Sequence, residues 1–138
     1  MKEHLLKDIS MKFYEFIKNF GFSQPKIQSN SNSSKIYYLF NKHALQIEID
    51  WREYQLYMYI VYLKNEELPP NDIIYSYKDG HWCRKYVEEI FKVHSHTCSC
   101  TKKHNPEQIL YDTLQFYIDV ININSVKLLE VFDKINNV

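Results

Sequence analysis

An α+β fold is what this sequence predicts, and three stretches predict it. The first is ALQIEIDWREYQLYMYIVYL, residues 44–63. There Leu45, Ile47, Ile49 and Trp51 alternate with Gln46, Glu48, Asp50 and Arg52. The alternation resumes with Tyr54, Leu56, Met58, Ile60 and Tyr62 on one face. A period of two belongs to an extended chain with one face buried, so the stretch reads as an antiparallel hairpin. The second is residues 2–20, where Leu5, Leu6, Ile9, Phe13, Phe16, Ile17 and Phe20 form one helical stripe. The third begins at Asn105, whose following residues repeat apolar side chains at helical spacing through Ile135.

Taken in order, the N-terminal helix ends at Gly21, where a left-handed residue suits a helix terminus, and Pro25 prevents its resumption. Residues 23–34, SQPKIQSNSNSS, read as a polar loop. Lys35 to Phe40 read as a first strand with Ile36, Tyr38 and Phe40 on one side, and Asn41-Lys42-His43 turns into the hairpin. Residues 65–72 carry acids and two prolines and end the sheet. Ile73 to Tyr77 offer a short additional strand, and Asp79-Gly80 a turn. The expected sheet is therefore a three- to four-stranded antiparallel meander. Trp82 to Val93 fit a helix with Tyr86, Val87, Ile90 and Phe91 inward and Lys85, Glu88 and Glu89 outward. Asn105 caps the next helix, with Pro106 at its first position and Gln108 three residues on. Asn122, Asn124 and Ser125 interrupt that helix, and Ser125 suits the cap of a separate last one. Two to three C-terminal helices in one domain, residues 1–138, complete the expectation.

Composition excludes several function classes. With only Gly21 and Gly80, no glycine-rich phosphate cradle can be built, and no G-x-S-x-G nucleophile elbow occurs. Seventeen basic and seventeen acidic residues cancel, so no strongly basic surface points to nucleic acid. No apolar run approaches the roughly 20 residues of a membrane helix. The first residues lack a secretory core and cleavage site, which predicts a cytoplasmic protein. Three cysteines, two of them one residue apart, are poor material for a disulfide framework and fit reduced thiols.

Three constellations bear on function. His94, His96, Cys98 and Cys100 alternate, with His104, His81 and Cys83 nearby, and imidazole and thiolate are the ligands zinc prefers. Their spacing is not that of a zinc finger or ribbon, so a solvated loop is the competing reading and zinc the only candidate cofactor. A Cys–His nucleophile pair would need an orienting partner that the segment does not offer. The second constellation is acidic: Glu48, Asp50, Glu53, Glu66, Glu67 and Asp72, with only Arg52 and Lys64 among them. Its readings are an ordinary solvated sheet face or a docking surface for a basic partner. Paired carboxylates at 48 and 50 without a pocket do not make an acid–base site. The third is aromatic: Tyr37, Tyr57, Tyr59, Tyr75 and Tyr77 fall on faces that need not be buried. Such tyrosines stack single-stranded bases or anchor protein interfaces, and acidic flanks favour protein.

The run IEIDWREYQLYMYIVYLKNEELPP, followed by IIYSYKDGHWCRKYVEEIF, resembles small bacterial proteins of one type. These share an N-terminal helix ending in Gly-Phe (Gly21-Phe22), an Asp-aromatic-Arg-acid turn (Asp50 to Glu53), and an Arg before an apolar helix (Arg84). The chain is similar over about its first two thirds to immunity proteins of toxin–immunity pairs, including contact-dependent growth inhibition systems. The resemblance implies a non-enzymatic cytoplasmic inhibitor, monomeric or weakly dimeric. It would occlude the active site of a toxin domain, a nuclease, and would bind neither nucleic acid nor membrane itself. Glu48, Asp50, Glu53, Glu66 and Glu67 would meet the toxin's Lys and Arg, with Tyr57 or Tyr59 as anchors.

Overall fold

A computed structural model describes residues 2–63, 67–69, 83–93 and 105–136. Its centre is an antiparallel sheet of five strands in sequence order: β1 (Lys26–Ser29), β2 (Ser33–Phe40), β3 (His43–Asp50), β4 (Gln55–Tyr62) and β5 (Cys83–Tyr86). Around it lie α1 (Lys2–Ile17), continued by a 3-10 turn (Lys18–Phe20), α2 (Val87–Phe91), α3 (Pro106–Ile123) and α4 (Ser125–Asn136). The layout is α+β, as the sequence predicts, but with five strands instead of three or four.

Both extra strands correct the expectation for physical reasons. Lys26–Ser29 sits inside the expected loop, yet pairs with Ser34–Tyr37 of β2. Gln and Ser have weak strand preference, but an adjacent ladder edge overrides propensity. Asn30 makes the turn: its Oδ1 accepts from the backbone N–H groups of Asn32 and Ser33, both at 2.9 Å. Cys83–Tyr86 falls inside the expected helix 82–93 and instead pairs with Tyr59–Tyr62 of β4. Helix α2 is thereby cut to one turn and a half, ending where Lys92 adopts a left-handed backbone (φ 56°). The inward set also changes. Val87 and Phe91 are buried, but Tyr86 is exposed, and Glu88 is buried rather than outward. Burial, and next the carboxylate of Glu88, push the Tyr117 phenol on α3 upward.

The register assigns each face. On one side lie Ile36, Tyr38, Leu45, Ile47, Ile49, Leu56, Met58 and Ile60, packed against Leu6, Ile9, Phe13 and Ile17 of α1. Leu110, Leu114, Tyr117 and Ile121 of α3 and Leu128 of α4 close the same core. Phe13 meets the ring of Tyr38 edge-on at 5.2 Å, and the Tyr38 hydroxyl donates to the Ser10 carbonyl at 2.7 Å. Burying an aromatic's area while satisfying its hydroxyl is the condition for tyrosine in a core. The Trp51 indole N–H likewise donates to Ser34 Oγ at 2.8 Å.

Chain punctuation follows the sequence closely. Gly21 is left-handed (φ 98°) and its N–H bonds to the Lys18 carbonyl. Asn105 Oδ1 accepts from Gln108 N–H at 2.8 Å with Pro106 at the first helical position. The Gln108 side chain does not reach back; it donates to Asp112 at 2.9 Å. The interruption after α3 falls at Asn124, and Ser125 is the first residue of α4 and not its cap. Among the described residues no helix is long and apolar enough to cross a membrane. Ile73–Tyr77 and Asp79-Gly80 lie outside the described residues.

Candidate functional site

The sheet's second face carries the candidate site, and it is not the solvated face that alternation in β3 suggests. Tyr37, Ala44, Gln46, Tyr59, Val61 and Lys35 are all buried there. The cause lies in the neighbouring strands. β2 and β4 bring Tyr37, Leu39, Tyr59 and Val61 to this side, and Leu63 and Leu68 join them in a second apolar cluster. The signal was present in the sequence: IYYLF and YMYIVYL are continuous apolar runs, and such runs mark strands buried on both faces.

Strand register places four rows on this face, the first of them Leu39, Ala44, Val61 and Arg84. Tyr37, Gln46, Tyr59 and Tyr86 lie side by side across β2 to β5. Lys35, Glu48 and Tyr57 form the next row toward the β3–β4 turn, and Asp50 opposite Gln55 the last. Arg84 reaches across from β5. Its guanidinium carbon stands 3.7 Å from the centre of the Tyr59 ring, and Nη1 is 3.3 Å from Glu48 Oε2 and 3.4 Å from Gln46 Oε1. Arg84 and Glu48 are each about one-fifth exposed, so the pair is shielded from solvent. A planar guanidinium can stack on a ring and hydrogen-bond in its own plane together, which an ammonium cannot.

Beyond this clamp the face opens. Tyr86 packs on Tyr59 with ring centres 4.6 Å apart and meets Tyr57 at 6.5 Å, while remaining 40% exposed. Tyr57 is half-buried and donates its hydroxyl to Gln55 Oε1. Its phenol is pushed up by burial first, then by Asp50, Tyr86, Glu53 and Glu48. Three carboxylates thus act electrostatically on one phenol. Asp50 Oδ1 accepts from the backbone N–H of Arg52 (2.9 Å) and Glu53 (3.4 Å), which shapes the turn. The Arg52 Nε lies 3.8 Å from the same oxygen, with its side chain 71% exposed. Tyr54, left-handed at φ 50°, closes the turn and sets its ring against Trp51.

Of the sequence-predicted residues, Glu48, Asp50, Glu53 and Tyr57 are brought together at this end of the sheet. Tyr59 is a correction: it is 5% exposed beneath Arg84 and Tyr86, so it supports the surface without forming it. Glu67 is exposed beside Leu68, and Glu66 lies outside the described residues. Sequence reasoning missed Arg84 and Tyr86 as members of the site because it placed them at a helix start. His94, His96, Cys98 and Cys100 lie outside the described residues. Among the described residues no group of three or more His, Cys, Asp or Glu side chains is placed to hold a metal ion.

One further concavity, an open groove of about 500 Å³, runs between α1 and α3 along Asp8, Lys12, Tyr111 and Leu114. The Tyr111 hydroxyl donates to Asp8 and its ring lies under Lys12, 5.2 Å from its Nζ. Burial and then Asp8 push this phenol up to about 12, which makes it a poor acid or base near neutrality. The chain matches no protein-family model, no curated protein and no solved structure.

Proposed function

We propose that this protein is a non-catalytic binding protein of the immunity type, which neutralises a bacterial toxin domain by covering its active site. The supporting observation is the placement of three acids at the half-buried Tyr57, beside the exposed ring of Tyr86. Glu48 is the cross-strand partner of Tyr57, and Asp50 pairs with the nearby Gln55 and accepts from the Glu53 N–H. A rigid aromatic pair rimmed by carboxylates is suited to a protein surface rich in Lys and Arg. The substrate cleft of a nuclease is such a surface, and charge complementarity would speed association and exclude wrong partners. The interface residues on this reading are Asp50, Glu53, Tyr57 and Tyr86, with Glu48, Arg84 and Tyr59 holding them in place.

Survival on co-expression tests the reading. The C-terminal domain encoded by the gene immediately upstream is expressed in a test bacterium with and without this protein. Killing by the domain alone and rescue by this protein is the expected outcome; killing without rescue would remove the reading.

A further inference from the structure

The chemistry of the partner can be taken one step further, on the protein-binding reading above. Arg84, Tyr59 and Glu48 form an internal arrangement in which a guanidinium lies on a tyrosine face at 3.7 Å and pairs with a carboxylate at 3.3 Å. Two of these ingredients, the tyrosine face and the carboxylate, recur one step toward the turn, without the guanidinium. Tyr57 and Tyr86 present the aromatic surface, and Asp50, cross-strand from Gln55, supplies a carboxylate together with Glu53, whose N–H bonds to Asp50. Among the described residues, Asp50 takes all its contacts on Oδ1, and Glu53 has no side-chain partner. Among the described residues the cation paired with Asp50 is Arg52, mostly exposed and 3.8 Å away.

We infer that Tyr57, Tyr86, Asp50 and Glu53 form a recognition site for an arginine side chain of the partner protein, repeating across the interface what Arg84 does within the chain. A guanidinium would lie against the tyrosine rings and direct its N–H groups to Asp50 Oδ2 and to Glu53. Lysine would meet the charge but neither the plane of the ring nor the paired oxygens, so the site discriminates arginine from lysine. Arg52 competes for the Asp50 carboxylate in the free protein and yields it on binding.

Titration of the full chain with N-acetylarginine methylamide, followed by the ring resonances of Tyr57 and Tyr86, tests this site without the partner. The ring signals should move saturably, with roughly fivefold tighter binding than the lysine analogue gives. D50N/E53Q should abolish the shift while the fold persists, because Asn keeps the oxygen that accepts from the turn. Arg52→Gln should tighten binding. Absence of a saturable shift, equal response to lysine, or an undiminished response in D50N/E53Q would each overturn the inference. Failed rescue of the toxin combined with intact arginine selectivity would remove the proposed function and leave the arginine site standing.

Discussion

His43 opens β3 in the interior, 1% exposed, with its ring edge-on to Tyr62 at 5.4 Å. Burial first, and then the adjacent Lys42, lower its pKa from 6.5 to about 4. The native protein therefore keeps this imidazole neutral where the unfolded chain has already taken up a proton. Below pH 6.5 the unfolded state binds more protons than the native state, so stability falls as the pH falls toward 4. At about 1.4 kcal/mol per pH unit, the drop from 6.5 to about 4 sets a ceiling of about 3 kcal/mol. In a chain of this size that is a fall of the order of 10 °C in Tm. Carboxylates titrate in the same window, so the decisive comparison is with His43→Phe, which preserves a buried ring and removes the proton site. Thermal unfolding of both proteins from pH 7 to pH 4 should show a steeper loss for the wild type. Parallel curves would refute the reasoning, because they would mean that His43 binds protons equally in both states.

Three other outcomes follow from the same structure. Arg84→Lys should lower stability by about 1–3 kcal/mol in denaturant unfolding, and Lys should recover little over Ala, because it restores charge without the Tyr59 stack or the fork of donors. Asn105→Ala removes the side-chain bond to Gln108 N–H and should cost about 1 kcal/mol, whereas Asn105→Asp should cost almost nothing. If residues 94–104 are a solvated loop, untagged protein will carry sub-stoichiometric zinc, and replacing His96, Cys98 and Cys100 together will leave toxin neutralisation intact; one zinc per chain would establish a metal site.

The sequence displayed the core better than it displayed the site, and the difference is physical. Leu45, Ile47 and Ile49, and Ile9 and Phe13, carry their burial in a local period that any single element reveals. Gly21 and Asn105 announced helix ends because those positions impose backbone or hydrogen-bond demands on one residue alone. The strands β1 and β5 were hidden, since Lys26–Ser29 and Cys83–Tyr86 become extended only by pairing with a neighbour distant along the chain or folded back by a turn. That missing strand carried Arg84 and Tyr86, and with them the clamp over Tyr59. Tyr59 itself could not be placed from β4 alone. Its burial depends on an arginine 25 residues away, and such a contact leaves no periodic trace.

On the proposed function, the end of the sheet marked by Asp50, Glu53, Tyr57 and Tyr86 contacts the toxin. The most direct measurement is the affinity for the purified toxin domain of the wild type and of D50N/E53K, in which the Asn keeps the oxygen that accepts in the turn, at low and at moderate salt. On this reading the double substitution should weaken binding by at least tenfold, through slower association as well as faster dissociation and more strongly at low salt, with the variant's Tm nearly unchanged. Equal affinities for the two proteins, with the toxin still neutralised, would contradict it and move the interface elsewhere on the molecule.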